Sequence, residues 1–178
     1  MKKIYIQNIK TEFGELILGS YDDHLCLCDW RYRKMRSGID NRIKNGLQAD
    51  FVVKENETIK TAIRQLNEYF AGERNQFDIP IQMVGTDFQK KIWNGLLKIP
   101  YGKTESYLGL SKKTGDAMAI RAVAAANGAN AISIFVPCHR IIGSNGELTG
   151  YAGGVEVKKK LLQLESGRII PEQMQLFG

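Results

Sequence analysis

The stretch that decides the fold of this 178-residue chain is IFVPCHRII, residues 134–142. A short apolar run, Ile132 to Val136, leads into Cys138, and this pattern predicts a strand that presents the thiol at its end. Neighbouring residues on a strand point to opposite faces, so the His139 ring reaches the Cys138 sulfur only if the chain turns. Pro137 favours such a turn.

Cys138 is therefore a candidate nucleophile. A thiol attacks only as the thiolate, and imidazole or cationic neighbours favour that form. His139 and Arg140 follow Cys138 directly. The alternative is a buried structural cysteine, the more common fate of cysteines outside disulfides. The local residues leave both interpretations open.

The segment upstream of Cys138 is typical of a helix-turn-helix. Ser106 to Lys112 predicts a short helix, Thr114-Gly115 a tight turn, and Asp116 the cap of an alanine-rich helix from Ala117 to Asn127. Two further helices flank this pair. One begins after Thr86 and ends before Pro100, and its predicted buried stripe is Phe88, Ile92, Trp93 and Leu96. The other ends before Gly167 and carries Val157, Leu161 and Leu164.

The first third of the chain predicts β-structure. Alternating residues indicate strands over 3–9, 14–19 and 24–30, with a further short strand at 51–53. The basic segment from Arg31 to Gly46 is weakly patterned and predicts a loop.

The period then becomes helical from Thr58 to a glycine cap at Gly72. We expect an α+β fold with two domains, a small sheet-containing domain over 1–84 and a mainly helical domain over 85–178.

Composition narrows the function classes. The formal charge of +6 and a pI near 9.2 favour a polyanionic partner, although charge alone is weak support for nucleic acid. Three cysteines do not make a disulfide framework in a chain of this size, which fits a reducing compartment. The first residues contain no apolar stretch that predicts a signal peptide or a membrane span, so a cytoplasmic location is expected.

The run Val136 to Ile142 resembles the active-site signature of the methylated-DNA–protein-cysteine methyltransferases. The resemblance covers about residues 86–167, and more loosely the N-terminal part. It includes Tyr101-Gly102, Ser106-Tyr107, Arg121-Ala122-Val123, Asn130, Tyr151-Ala152-Gly153-Gly154, Lys158 and Glu165 to Gly167. It implies a ribonuclease-H-like N-terminal domain. It also implies a helix-turn-helix domain that repairs O6-alkylguanine, and O4-methylthymine, in double-stranded DNA.

In that family the cysteine accepts the alkyl group irreversibly, so each molecule acts once. The resemblance assigns the acceptor to Cys138, which Glu165 and His139 activate through a bridging water. Tyr107 then donates to the purine ring as guanine leaves and crowds the target phosphate. No cofactor is needed, and we expect a monomer.

The resemblance also assigns the DNA-binding residues. Arg121 fills the gap left by the extruded base, and small residues such as Ala122 let the helix lie in the minor groove. Asn127 stands where relatives vary in residue size, so its groove contacts are expected to differ. Asn130 is the hinge between the helices and the active-site strand.

The base pocket is implied to include Tyr151, Ala152, Gly153 and Ile141. Relatives often have serine at the position of Ala152. The resemblance therefore implies a contact to the base from the Ala152 backbone N–H, but none from a side-chain hydroxyl.

Three other functions and one metal site are alternatives to this prediction. A DNA-binding module without chemistry would lack the cysteine, and a methylation-sensing regulator would need a further metal-bearing domain. A Cys–His hydrolase would need a separated histidine and an oxyanion site. His24, Cys26 and Cys28 share one strand face, but zinc normally takes four ligands at wider spacing, so no metal is expected.

Overall fold

The computed structural model describes residues 2–115 and 117–167. The chain divides into two compact units, Met1–Gly85 and Thr86–Gly178. The sequence predicted the boundary one residue earlier, after residue 84. The interpretation of each unit as a domain stays a prediction. The predicted helix cap at Asp116 lies outside the described residues.

The first unit is built on a four-stranded sheet. Its strands are β1 (Lys2–Thr11), β2 (Gly14–Tyr21), β3 (His24–Trp30) and β4 (Ala49–Val53). The strand order is β3-β2-β1-β4, with β1 and β4 parallel and the other pairs antiparallel. The alternating residues therefore predicted β1, β2 and β3, and the short strand expected at 51–53 is β4, all to within two residues at their ends.

The predicted loop from Arg31 to Gly46 is wrong, because most of this segment is helix α1 (Arg36–Leu47). Only Ile39 and Ile43 are buried on it, and no side chain caps its start, which follows Met35 in the left-handed conformation. Because only this pair of apolar residues is buried, the sequence of the helix shows little of the apolar periodicity that indicates a helix. The helix is also held by ion pairs from Arg36 to Asp40 and to the buried Asp29.

Helix α2 (Glu57–Phe70) was well predicted because it is strongly amphipathic. Asn56 caps its start by accepting a hydrogen bond from the Ile59 amide, and Gly72 follows its end at φ 76°. A left-handed residue after a helix is most easily a glycine. The helix contacts β2 and β3. Its buried residues are Ile59, Ala62, Gln65, Leu66, Tyr69 and Phe70.

The second unit is mainly helical. Its helices are α3 (Asp87–Leu96), α4 (Tyr107–Lys113), α5 (Ile120–Gly128) and α6 (Val155–Ser166). A short parallel pair, β5 (Glu105–Ser106) and β6 (Ile141–Ile142), accompanies them. The four predicted helices are thus confirmed.

The start of α3 follows the sequence closely. Thr86 and Gln89 form a reciprocal capping box, as the predicted N-cap requires. Ile92, Trp93 and Leu96 are buried as expected, but Phe88 is 39% exposed and lies outside the buried stripe. Phe88 occupies the first turn, where the helix has just begun.

Helix α5 begins three residues later than predicted, at Ile120 instead of Ala117. Ala117 and Met118 form a turn, and the N-cap residue Ala119 offers no side-chain hydrogen bond. A high alanine content favours helix propagation, but a helix still needs a nucleus, and composition does not locate it.

The buried face of α6 also differs from the predicted stripe. Val157 and Leu164 are only partly buried, whereas Lys158, Leu161, Leu162 and Glu165 are buried. The prediction followed apolar residues, but the helix is rotated so that two charged residues point inward. These charges belong to the candidate site. Within the described residues, no helix is long and apolar enough to span a membrane.

Candidate active site

The segment that leads to Cys138 is an irregular, buried loop, so the predicted strand at residues 132–136 is wrong. Ser133 and Val136 form an isolated bridge, and Ile134 has a left-handed φ of 74°. A β-branched residue rarely adopts this conformation, which costs about 1–3 kcal/mol. The surrounding contacts therefore hold the loop in place.

Asn130 fixes this loop from inside. Its side-chain Nδ2 donates to the Val136 carbonyl at 2.9 Å, and its Oδ1 accepts from the Ile132 amide at 3.0 Å. The side chain thus satisfies the buried Ile132 amide and adds a second donor to the Val136 carbonyl, which also accepts from the Cys138 amide at 2.8 Å. Such a geometry fits the predicted hinge, although its role in the reaction stays a prediction.

The chain turns at Pro137, as the sequence predicted. Cys138–Arg140 form a single 3₁₀ turn, with the Arg140 amide donating to the Pro137 carbonyl at 3.0 Å. All three side chains of this turn are buried, and Cys138 is 4% exposed. In a strand, Cys138 and His139 would point to opposite faces. The turn removes this restriction.

His139 and Glu165 form the central contact of the site. The His139 Nε2 lies 2.6 Å from Glu165 Oε2, and both side chains are essentially inaccessible to solvent. Burial lowers the pKa of His139, which Glu165 opposes, and the net direction is downward. A neutral His139 that donates through Nε2–H leaves Nδ1 as a proton acceptor. Among the described residues, no group hydrogen-bonds to the buried Nδ1.

Arg140 holds the same carboxylate from another side. Its Nε donates to Glu165 Oε1 at 2.7 Å, its Nη2 donates to Oε2 at 3.1 Å, and its Nη1 donates to the Ile99 carbonyl at 2.6 Å. Burial raises the pKa of Glu165, but His139 and Arg140 outweigh it and lower that pKa to about 2. Glu165 is therefore ionised at neutral pH.

Lys158 places a second cation near the thiol. Its side chain is fully buried and donates to the Thr149 carbonyl at 2.8 Å. Burial lowers the pKa of Lys158 to about 8, while the interaction with Cys138 acts in the opposite direction. Because an ammonium attracts a thiolate, Lys158 favours the ionised form of Cys138.

Tyr107 is connected to Lys158 through one residue. The Thr149 hydroxyl donates to the Tyr107 hydroxyl at 3.2 Å, and the same Thr149 accepts from Lys158 through its carbonyl. Tyr107 is the first residue of α4 and is partly buried. The structure thus brings Tyr107, Lys158 and Cys138 into one cluster.

The predicted pocket residues divide into two groups. Tyr151, Ala152 and Gly153 are partly exposed, and the Tyr151 ring meets the His139 ring edge-on, with 6.4 Å between centroids. Ile141 has no exposed surface and pairs with Glu105 in the β5–β6 ladder. Ile141 is therefore not on the exposed side of this group, and its pocket role stays a prediction.

The predicted DNA-binding residues lie on opposite faces of α5. Arg121, Ala122, Ala125 and Gly128 are exposed along one face. Asn127 is 5% exposed and lies on the opposite, buried face with Val123 and Ala126. Three- and four-residue helical spacing points Asn127 away from the face that carries Arg121, and its groove contact stays a prediction.

The residues of β3 show no sign of a metal centre. Cys26 and Cys28 are buried, and burial raises the pKa of Cys26 to about 12 and that of Cys28 well above its ordinary value. Over residues 2–115 and 117–167, no group of three or more metal-capable side chains comes together.

The sequence did not single out Lys158 or Arg140 as site residues. Lys158 is spaced three residues from Leu161 and seven from Glu165, which is the spacing of one helix face. That spacing was visible beforehand, but charged residues on an apolar face are usually interpreted as solvated. No local pattern indicated that Arg140 would bind Glu165, which lies 25 residues away.

Comparisons with known proteins point to one family. Family models described as the ribonuclease-like domain and the DNA binding domain of 6-O-methylguanine DNA methyltransferase match residues 4–83 and 87–167. The methylated-DNA–protein-cysteine methyltransferase of Mycobacterium tuberculosis is 52% identical over 116 residues, or 65% of this chain and 70% of that protein. The constitutive enzyme of Bacillus subtilis is 40% identical over 164 residues, or 90% of this chain and 94% of that protein.

Solved structures are similar over nearly the whole length. A crystal structure of Mycobacterium tuberculosis OGT in complex with DNA is 37% identical, with a TM-score of 0.79, and the match covers 96% of this chain and 98% of that one. With two family models covering most of the sequence and relatives matched end to end, the chain belongs to the 6-O-methylguanine DNA methyltransferase family.

Proposed function

We propose that this protein repairs O6-alkylguanine in double-stranded DNA by transferring the alkyl group to its own Cys138. The observation that carries this proposal is the buried Glu165–His139 hydrogen bond beside the Cys138 turn. A carboxylate, an imidazole and a thiol in this order match the orienter, base and nucleophile of covalent catalysis. Family membership supplies the substrate class.

The reaction begins with removal of the thiol proton. The Cys138 proton passes to His139 Nδ1, through the bridging water implied by the family resemblance, while Glu165 holds the Nε2–H. The sulfur electron pair then forms a bond to the alkyl carbon as the carbon–oxygen bond to guanine breaks. Lys158 stabilises the thiolate before the displacement.

The leaving guanine carries the negative charge and must gain a proton. We assign this step to Tyr107, whose hydroxyl accepts from Thr149 and keeps its own O–H for donation. Tyr107 then regains a proton from solvent, and His139 releases the former thiol proton to solvent, so no charge remains on either residue. A donor that strengthens its bond as charge develops lowers the barrier. The thioether product is stable, so the chain is consumed and acts once.

DNA reaches the site through the exposed face of α5. Arg121 and Ala122 lie on that face, and we propose that Arg121 occupies the space of the extruded base. The crystal structure of the Mycobacterium tuberculosis relative in complex with DNA supports DNA as the partner. Tyr151, Ala152 and Gly153 then form the wall of the base pocket. O4-methylthymine as a second substrate, a monomeric state and a cytoplasmic location stay predictions.

Intact-mass analysis tests the proposal. After incubation with a duplex that carries O6-methylguanine, we expect one added methyl group per chain, located on Cys138 by peptide mapping. Cys138→Ser should gain none, while the matched variant Cys26→Ser should react like the parent. Continued turnover, or a methyl group on Cys26, would exclude the mechanism.

A further inference from the structure

Arg140 and His139 share one carboxylate. Arg140 contacts both oxygens of Glu165, whereas His139 contacts only Oε2. The Gly102 amide approaches Oε1 at 3.4 Å. The Arg140 guanidinium also lies over the Tyr101 ring, 5.8 Å from its centroid, and reaches the Ile99 carbonyl. Its position is thus fixed by two parts of the chain, helix α6 and the segment that holds Ile99 and Tyr101, and it is only 7% exposed.

The charges around His139 oppose one another. Glu165 favours a proton on the ring, whereas Arg140 and Lys158 disfavour it, and burial disfavours it most. Two tyrosines also lie near the pair. The Tyr151 ring meets the His139 ring edge-on, and the pKa of Tyr101 is raised by burial and by Glu165. Tyr101 is therefore neutral at physiological pH and adds no charge. The proton affinity of the His139 ring therefore depends on how much of the negative charge of Glu165 is already neutralised by another cation.

Arg140 supplies that compensation permanently, because a guanidinium does not lose its proton in proteins. A bidentate arginine partner is also stronger than a single hydrogen bond. If Arg140 were absent, a buried carboxylate would need another cation, and the adjacent His139 would supply it by binding a proton. A protonated ring donates from both nitrogens and has no acceptor for the Cys138 proton.

We propose that Arg140 is a positioning residue that keeps His139 neutral, with its proton on Nε2 and with Nδ1 as the acceptor. The relevance of this state to repair rests on the proposed function. The state itself is a property of the folded protein and can be measured without DNA. The arginine after the active-site histidine would then set the proton affinity of the base as well as the geometry of Glu165.

Nitrogen-15 NMR of the histidine rings tests the proposal. The chain has two histidines, so the exposed ring of His24 serves as an internal reference in every sample. The titration is performed in Cys138→Ser, because the thiol and imidazole otherwise exchange a proton. Arg140→Gln removes the charge but keeps an N–H donor, and Arg140→Lys keeps the charge but loses the planar fork. Lys160→Gln, on the exposed side of α6, is the matched control.

In Cys138→Ser, the His139 ring should remain the Nε2–H tautomer below about pH 6.5, the ordinary pKa of histidine, because burial lowers the His139 pKa. With Arg140→Gln added, the His139 midpoint should rise by about one pH unit, the size that a lost neighbouring charge commonly produces. Arg140→Lys should restore most of that difference, and Lys160→Gln should leave the midpoint unchanged.

Two results would overturn the proposal. One is an unchanged midpoint in a folded Arg140→Gln protein, or an equal rise in Arg140→Lys, since a purely structural role predicts no dependence on charge. The other needs no substitution at Arg140. It is a His139 ring in the Cys138→Ser parent that becomes protonated at or above about pH 6.5, the ordinary pKa of histidine. Neither result bears on whether methyl transfer occurs, so failure here and failure of the proposed function are distinguishable.

Discussion

Asn130 and Val136 are joined by a buried hydrogen bond of 2.9 Å, two residues before the turn that carries Cys138. The same amide side chain accepts from Ile132, so one residue holds both ends of a loop that includes the left-handed Ile134. The position of Cys138 therefore depends on a side chain two residues beyond the end of α5.

Asn130→Ala should destabilise the protein and slow the reaction together. The buried Ile132 amide loses its partner, while the Val136 carbonyl keeps the Cys138 amide as a donor at 2.8 Å. One unsatisfied buried group costs about 1–3 kcal/mol, so urea denaturation should show a loss of about that size. Asn94→Ala is the control, because Asn94 is exposed and bonds only to the Lys90 carbonyl of its own helix. Similar losses in both variants would remove the special role of Asn130.

Thiol titration should separate Cys138 from the other two cysteines. Cys26 and Cys28 are 1% and 0% exposed, and burial raises the pKa of both. At about pH 8, a thiol reagent should modify at most one cysteine in the native protein and three after unfolding. Cys138→Ser should abolish the native reaction. Modification of Cys28 before unfolding would contradict the buried sheet face.

The sequence predicted those parts of the fold in which one physical signal dominates. Alternation predicted the sheet, and the strong apolar face of α2 predicted its length. Helix α1 was missed because its stability comes from ion pairs between Arg36 and the carboxylates of Asp29 and Asp40, which leave no periodic trace. Likewise, no local rule predicts that Ile134 adopts a left-handed φ, since tertiary contacts impose it.

The sequence motif predicted which residues form the centre of the candidate site, but it did not predict the buried charges around them. His139 and Glu165 were expected to work together, and they lie 2.6 Å apart. Lys158 was noted only as a matching residue, because a lysine among apolar residues is normally assigned to the surface. Burial of a charge depends on partners distant in sequence, here Thr149 and Cys138, which periodicity does not reveal.

Glu165 should make stability depend on acidic pH. Its pKa falls from an ordinary 4.5 to about 2 on folding, so the unfolded chain binds the proton more readily. The contribution is fully present above about pH 4.5 and is lost as the pH falls towards about 2, and amounts to on the order of 3 kcal/mol. Urea denaturation across this range should give a flatter profile for Glu165→Gln than for the wild type. Glu156→Gln, an exposed residue of the same helix, should keep the wild-type slope.

Lys158→Gln should slow methyl transfer by roughly tenfold at neutral pH, the effect of about 1.4 kcal/mol of lost stabilisation. The pKa of Lys158 is about 8, so its ammonium is present at neutral pH and is lost as the pH rises through that value. The wild-type advantage over the variant should therefore shrink above about pH 8. Single-turnover rates measure this, with Lys160→Gln as control. A constant ratio at all pH values would assign Lys158 a purely structural role.

Arg121→Ala should impair the reaction with duplex DNA far more than the reaction with a free O6-alkylguanine base. Extrusion of a base costs a few kcal/mol of stacking, and a residue that fills the gap offsets part of that cost. A free base has no stack to leave, so its rate should change little, whereas the duplex rate should fall at least roughly tenfold. Ala122→Leu gives a second test, because bulk on the exposed face of α5 should keep the helix from the groove while leaving Cys138 intact. Equal losses on both substrates would mean that Arg121 supports the fold or the chemistry and takes no part in extrusion.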